Sequence, residues 1–120
     1  MEKKSIKELA IELAVEITLL CENAKVKAVY ANQILRSCSS IGATAHEAKY
    51  AQSKADFSSK LSIALKESSE TSYWLTLLVK TDYLPKNIYD SLKSDVDELI
   101  RMIIASLKTV KDVKSNQIHD

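Results

Sequence analysis

Residues 33–78, QILRSCSSIGATAHEAKYAQSKADFSSKLSIALKESSETSYWLTLL, decide the fold of this chain. The stretch reads as two long helices joined at AQSKADF, around Gln52 to Phe57. In the first, Ile34, Cys38, Ile41, Ala45 and Ala48 recur at three- and four-residue spacing, with Tyr30 just upstream. That is the pattern of one buried helical face. In the second, Phe57, Leu61, Ala64, Ser68, Leu75 and Val79 line one side. Between them, Ser53 and Asp56 have the spacing of a capping box, in which each side chain satisfies a backbone N–H left unpaired at a helix start. A helix is therefore expected to begin near Lys54.

The flanks read as cover for these two helices. A first helix is expected over about 5–23, with Ile6, Leu9, Ala10, Leu13, Ile17, Leu20 and Cys21 on one face and a second capping box at Ser5 and Glu8. The central pair is expected over 26–52 and 54–80. Pro85 ends the third pattern, because proline has no N–H to continue a helix. A fourth helix follows over 86–112, striped by Ile88, Leu92, Val96, Leu99, Ile103, Leu107 and Val110, with residues 113–120 expected to fray. Gly and Pro occur once each in 120 residues, too little turn chemistry for a hairpin-rich β fold. The expectation is a single all-α domain over 1–120, an antiparallel up-down-up-down four-helix bundle.

Two surfaces exceed what a monomeric bundle needs. Ile11, Val15 and Leu19 add a second apolar line to helix one, where one stripe suffices. On helix three, Ile63, Glu67, Glu70, Trp74 and Leu77 project nearly opposite the core stripe. Ile63, Glu67, Glu70 and Trp74 are accordingly expected to face another subunit, with Arg36 among the partners of the two acids. The alternative places Trp74 at the end of its own bundle. The small residues Ser37 to Ala45 around Gly42 fit either close packing inside the chain or a subunit interface.

The net charge is +1, so no global field draws the chain onto nucleic acid or anionic lipid. Residues 24–54 are locally basic, with Lys25, Lys27, Arg36, Lys49 and Lys54 against Glu47 alone. These five are the candidate nucleic-acid contacts. On a single helix they point to different sides, so phosphate binding would need several subunits to bring them together.

Catalytic chemistry is not visible, and no enzyme, cofactor or metal is expected. A di-iron bundle takes carboxylates and two E-x-x-H pairs, but His46 and His119 are the only histidines and neither follows a Glu by three residues. There is no G-x-S-x-G turn and no glycine-rich phosphate loop. His46 reads as a surface or interface residue, and Cys21 and Cys38 as small hydrophobes on apolar stripes. Glu8, Glu12 and Glu16 interrupt the N-terminal apolar pattern too often for a signal segment or membrane span. A cytoplasmic location without membrane association is expected.

Several stretches carry a resemblance: Gln33–Ser37, Ser40–Ala43, Glu47-Ala48, Ala51–Phe57, Lys60–Glu67, Glu70-Thr71 and Tyr73–Leu75. Together they resemble the bacterial four helix bundle protein family, which includes proteins encoded in intervening sequences of large-subunit ribosomal RNA genes. The chain is also similar to the accessory variability proteins of diversity-generating retroelements, basic pentamers that work with a reverse transcriptase and RNA. Unlike those, it is close to neutral. The resemblance implies a left-handed four-helix bundle assembled as a homopentamer. It points to a helical scaffold associated with ribosomal or other RNA. The competing expectation is an adaptor that docks a protein partner on the second faces of helices one and three, without touching nucleic acid.

Overall fold

The computed structural model describes residues 3–119, with side chains through Lys111. Four helices follow one another: α1 (Ile6–Asn23), α2 (Ala28–Lys49), α3 (Lys54–Lys80) and α4 (Lys86–His119). No strand occurs among the described residues. The serine half of each expected capping box forms, without the return bond to the serine's own N–H among the described residues. Ser5 Oγ accepts the Glu8 N–H at 3.1 Å and Ser53 Oγ accepts the Asp56 N–H at 3.0 Å. The Asp56 carboxylate takes the Gln52 N–H at 3.2 Å, which anchors the connection entering α3.

Neither stop uses glycine. Past α1, Lys25 adopts a left-handed φ of 52°, and the Val26 N–H reaches back to the Cys21 carbonyl. Past α3, Asp82 has a φ of 65°, with the Asp82 and Tyr83 N–H groups donating to the Val79 and Leu78 carbonyls. Both ends have the form of a Schellman motif, which consumes carbonyls that a helix end otherwise leaves unpaired. Glycine is the usual left-handed residue, but here Lys and Asp fill the role. Val26 and Tyr83, which follow, pack onto the core and hold each turn down.

Three boundaries differ from expectation. Helix α2 begins at Ala28 rather than 26, because Lys25 and Lys27 are spent on the turn. It stops at Lys49, where Tyr50 leaves helical geometry. Helix α4 continues to His119, past the expected end at 112, since no Gly or Pro follows Pro85 to interrupt it; Asp120 lies outside the described residues.

Each helix packs on its neighbours in sequence, and α1 also meets α4. Among the described residues the backbones of the diagonal pairs stay more than 8 Å apart, Cα to Cα. Along α2 the partners Tyr30, Ser37 and Glu47 meet Trp74, Thr71 and Lys60 of α3, so the two run antiparallel. The result is an all-α up-down bundle with ring order α1, α2, α3, α4. Its core comprises Leu13, Ile17, Ile34, Ile41, Leu75, Leu78, Val96, Leu99 and Ile103, all almost fully buried. These are the expected stripes, with Leu78 added. Each such side chain contributes roughly 1.5–3 kcal/mol through burial.

Candidate interface surfaces

The seam between α2 and α3 carries the polar residues of the sequence motifs. Thr71 Oγ1 lies 2.9 Å from Ser37 Oγ and 2.9 Å from the Glu67 carbonyl, and Ser37 also donates to the Ile34 carbonyl. One turn outward, Arg36 bridges two acids. One guanidinium nitrogen lies 3.2 Å from Glu67 Oε2, and another pairs with Glu70 Oε2. The same Glu70 oxygen accepts the Trp74 indole N–H at 3.3 Å. The indole packs between Tyr30 and Tyr73, with ring centroids 6.4 and 4.9 Å away.

Arg36, Glu67, Glu70 and Trp74, expected to face another subunit, meet one another within the chain. The Arg36 pairing expected between subunits is made inside one chain. The reason lies in the angular width of α3's buried arc. Helix α3 packs on both α2 and α4, so its covered side must face two directions. Glu67 and Trp74 sit on the α2 edge of that arc rather than on its far side. Glu67 is 8% exposed and needs Arg36 as its counter-charge. A buried carboxylate without such a partner would be strongly unfavourable. Ile63 remains partly exposed at the border of the seam.

The expected second line of α1 does stay on the surface. Ile11, Val15 and Leu19 are 50%, 52% and 52% exposed. They form one wall of a groove of about 520 Å³ between α1 and α2. Its lining includes the short side chains of Ala14, Ser39, Gly42 and Ala43, together with Lys7 and His46. Gly42 is not forced by crowding: a Cβ there would meet the Ala10 Cβ at 3.7 Å, an ordinary contact. Of the small-residue run, Ser37, Cys38 and Thr44 turn inward, while Ser39, Gly42 and Ala43 open onto the groove.

The basic residues expected to contact nucleic acid do not gather. Lys25 and Lys27 flank the start of α2, whereas Lys49 and Lys54 border a shallow hollow at its other end. The helix between them is about 33 Å long. Arg36 lies between and is committed to the α2–α3 seam. His46 is exposed beside Tyr50, with ring centroids 5.4 Å apart.

Both cysteines are free and buried. Burial pushes the Cys38 thiol up to about 11, and raises Cys21 as well. Thiols so poor in thiolate behave as small apolar side chains. Among the described residues no group of His, Cys, Asp and Glu could hold a metal ion. No described helix is long and apolar enough to cross a membrane.

No curated protein matches the chain. Among solved structures it is similar to a protein of unknown function from the S23 ribosomal protein family of Bacteroides thetaiotaomicron. The identity is 43%, covering 87% of this chain and 99% of that one, with a TM-score of 0.82. A family model described as 23S rRNA-intervening sequence protein matches residues 2–105. With nearly all of the bundle inside that match, the chain belongs to the 23S rRNA-intervening sequence protein family.

Proposed function

We propose that this chain is a non-enzymatic cytoplasmic scaffold that assembles with copies of itself and associates with RNA. Five subunits is the assembly in accord with the family resemblance. The observation that carries the self-assembly is the line Ile11, Val15 and Leu19 above a floor of Ala14, Gly42 and Ala43. Small floor residues let another helix approach closely, while the three half-exposed side chains supply apolar area. Covering what remains exposed returns roughly 1 kcal/mol per side chain. Monomers rarely leave such a continuous strip in water without a use.

The RNA half of the reading draws on the family description, which names 23S rRNA. Among the described residues, every deeply buried side-chain nitrogen and oxygen has a hydrogen-bond partner, so the seam polar groups hold the helices together.

Light scattering at matched concentrations tests the assembly, comparing the wild type with a Val15→Glu, Leu19→Glu variant. The wild type is expected at several chain masses and the variant at one, with unchanged helical circular dichroism. A wild-type monomer at tens of micromolar would overturn the reading. Capture of another protein through this groove, surviving nuclease and high salt, would replace it with the adaptor.

A further inference from the structure

The side of the bundle opposite the apolar groove has a different chemistry. A groove of about 650 Å³ runs between α3 and α4, lined by Thr76, Lys80, Lys86, Tyr89, Lys93 and Arg101 together with Asp90 and Asp97. We infer that this groove is the RNA-binding surface of the molecule, where Lys80, Lys86, Lys93 and Arg101 take the phosphates of a single strand. The inference rests on the RNA half of the proposed function and assigns it a site.

Four observations converge. First, Lys86, Lys93 and Arg101 recur at seven- and eight-residue spacing along α4, and Lys108 continues the series. At 100° per residue all four fall within an arc of about 80°, a stripe some 33 Å long. A polyphosphate chain needs such a line, which α2 lacks.

Second, the two carboxylates in the groove do not cancel it. Asp90 pairs with Lys86 at 2.8 Å and Asp97 with Lys93 at 2.6 Å, each one turn after its lysine. That order is the weaker one for a helical ion pair, and exposed pairs of this kind contribute well under about 1 kcal/mol. An ammonium has three N–H donors, so it can hold a phosphate beside its carboxylate. Among the described residues no carboxylate lies within ion-pair distance of Lys80 or Arg101.

Third, an aromatic ring lies among the cations. Tyr89 lines the groove, half-buried, with its hydroxyl 3.1 Å from Thr76 Oγ1. Bases of single strands stack on such rings, whereas a duplex keeps its bases to itself.

Fourth, two acids of α4, Asp95 and Glu98, lie on its other side, whereas Asp90 and Asp97 share the arc of the lysines. Asp95 and Glu16 of α1 both have raised carboxyl pKa values, through burial first and then repulsion from neighbouring acids, Glu98 and Glu12 among them. The α1–α4 side therefore repels a phosphate chain and the α3–α4 side attracts it.

A labelled single-stranded RNA titrated at about 50 mM and 200 mM salt tests the assignment. Lys80→Glu with Arg101→Glu reverses the groove. Lys25→Glu with Lys27→Glu, at the start of α2, makes the same change in net charge elsewhere. The groove variant is expected to lose about tenfold or more in affinity and to flatten the salt dependence, while the control moves less than about threefold. Circular dichroism confirms that both remain helical. Equal losses in the two variants would overturn the site, as would a groove variant that binds like the wild type; in both cases the RNA reading would stand. A wild type without measurable binding at low salt would sink both. Equal affinity for anionic lipid vesicles or duplex DNA would overturn the assignment to single-stranded RNA.

Discussion

The α1–α2 groove and the α3–α4 groove lie across the bundle from each other and are comparable in size, about 520 and 650 Å³. One is walled by Ile11, Val15 and Leu19 over short side chains. The other is walled by Lys86, Lys93 and Arg101 over two hydroxyls, Thr76 and Tyr89, which bond to each other at 3.1 Å. The ring order puts them on opposite sides, each between its own pair of neighbouring helices. A second copy covering the apolar groove leaves the charged one open. The lesson is that a near-neutral chain can hold two opposed specialised faces, which net charge averages away.

Salt separates the two faces with the largest expected effect. Raising it from about 50 to 200 mM should weaken RNA binding roughly 50-fold for about four phosphate contacts. The assembled mass, held by apolar burial, should not fall. Dissociation of the oligomer over the same range would break the comparison, since it would make the self-contact electrostatic too.

Arg36→Ala should act on neither groove. It strands the carboxylate of Glu67 in the α2–α3 seam, and with Arg36 half exposed the penalty is expected at about 1–2 kcal/mol. Denaturant unfolding should register that loss, while RNA affinity and the mass of the folded protein stay constant. A changed mass with unchanged stability would return Arg36 to a subunit interface.

Gly42→Ala sharpens the apolar side by splitting two quantities. Helix propensity predicts a gain of up to about 1 kcal/mol in the folded chain, since the new methyl finds ordinary contacts. The same methyl fills the floor of the groove, so assembly should weaken. Unfolding curves at low concentration and light scattering at high concentration should therefore move in opposite senses. If both improve, the groove is not where copies meet.

The smallest effect belongs to Cys38, which lies beneath the apolar groove. Its thiol stays protonated up to about 11 in the folded chain, against an ordinary value of 9.0. The folded state thus binds a proton that the unfolded state has lost between those values. Its contribution to stability is complete below about pH 9 and fades as pH rises toward 11. Native alkylation at pH 9 should be far slower than in denaturant. Rapid native labelling would mean that the groove opens to its floor.

Much of the fold is legible in particular residues. Most of the expected stripe residues, Leu13, Ile17, Ile34, Ile41, Val96 and Ile103 among them, are buried where their spacing places them, whereas Leu20 and Ala45 are half-buried and Ile88, at the start of α4, is exposed. Ser5 and Ser53 cap where their partners three residues on require. The turns at Lys25 and Asp82 were less legible, because neither residue advertises a left-handed conformation. That Glu67 and Trp74 of α3 reach α2 within the chain has a geometric cause. Periodicity gives the centre of a buried arc but not its width, and the width depends on how many neighbours a helix has.

Composition and periodicity by themselves determined the helical class, the number of helices and the inward stripe of each. Those properties follow from one residue's relation to the next few along its own helix. Only the tertiary structure decided that Arg36 closes on Glu67 and Glu70 within the chain, and that the cations of α4 share a groove with Lys80. Both depend on which helices become neighbours around the ring and at what rotation. Spacing along a single helix does not encode that.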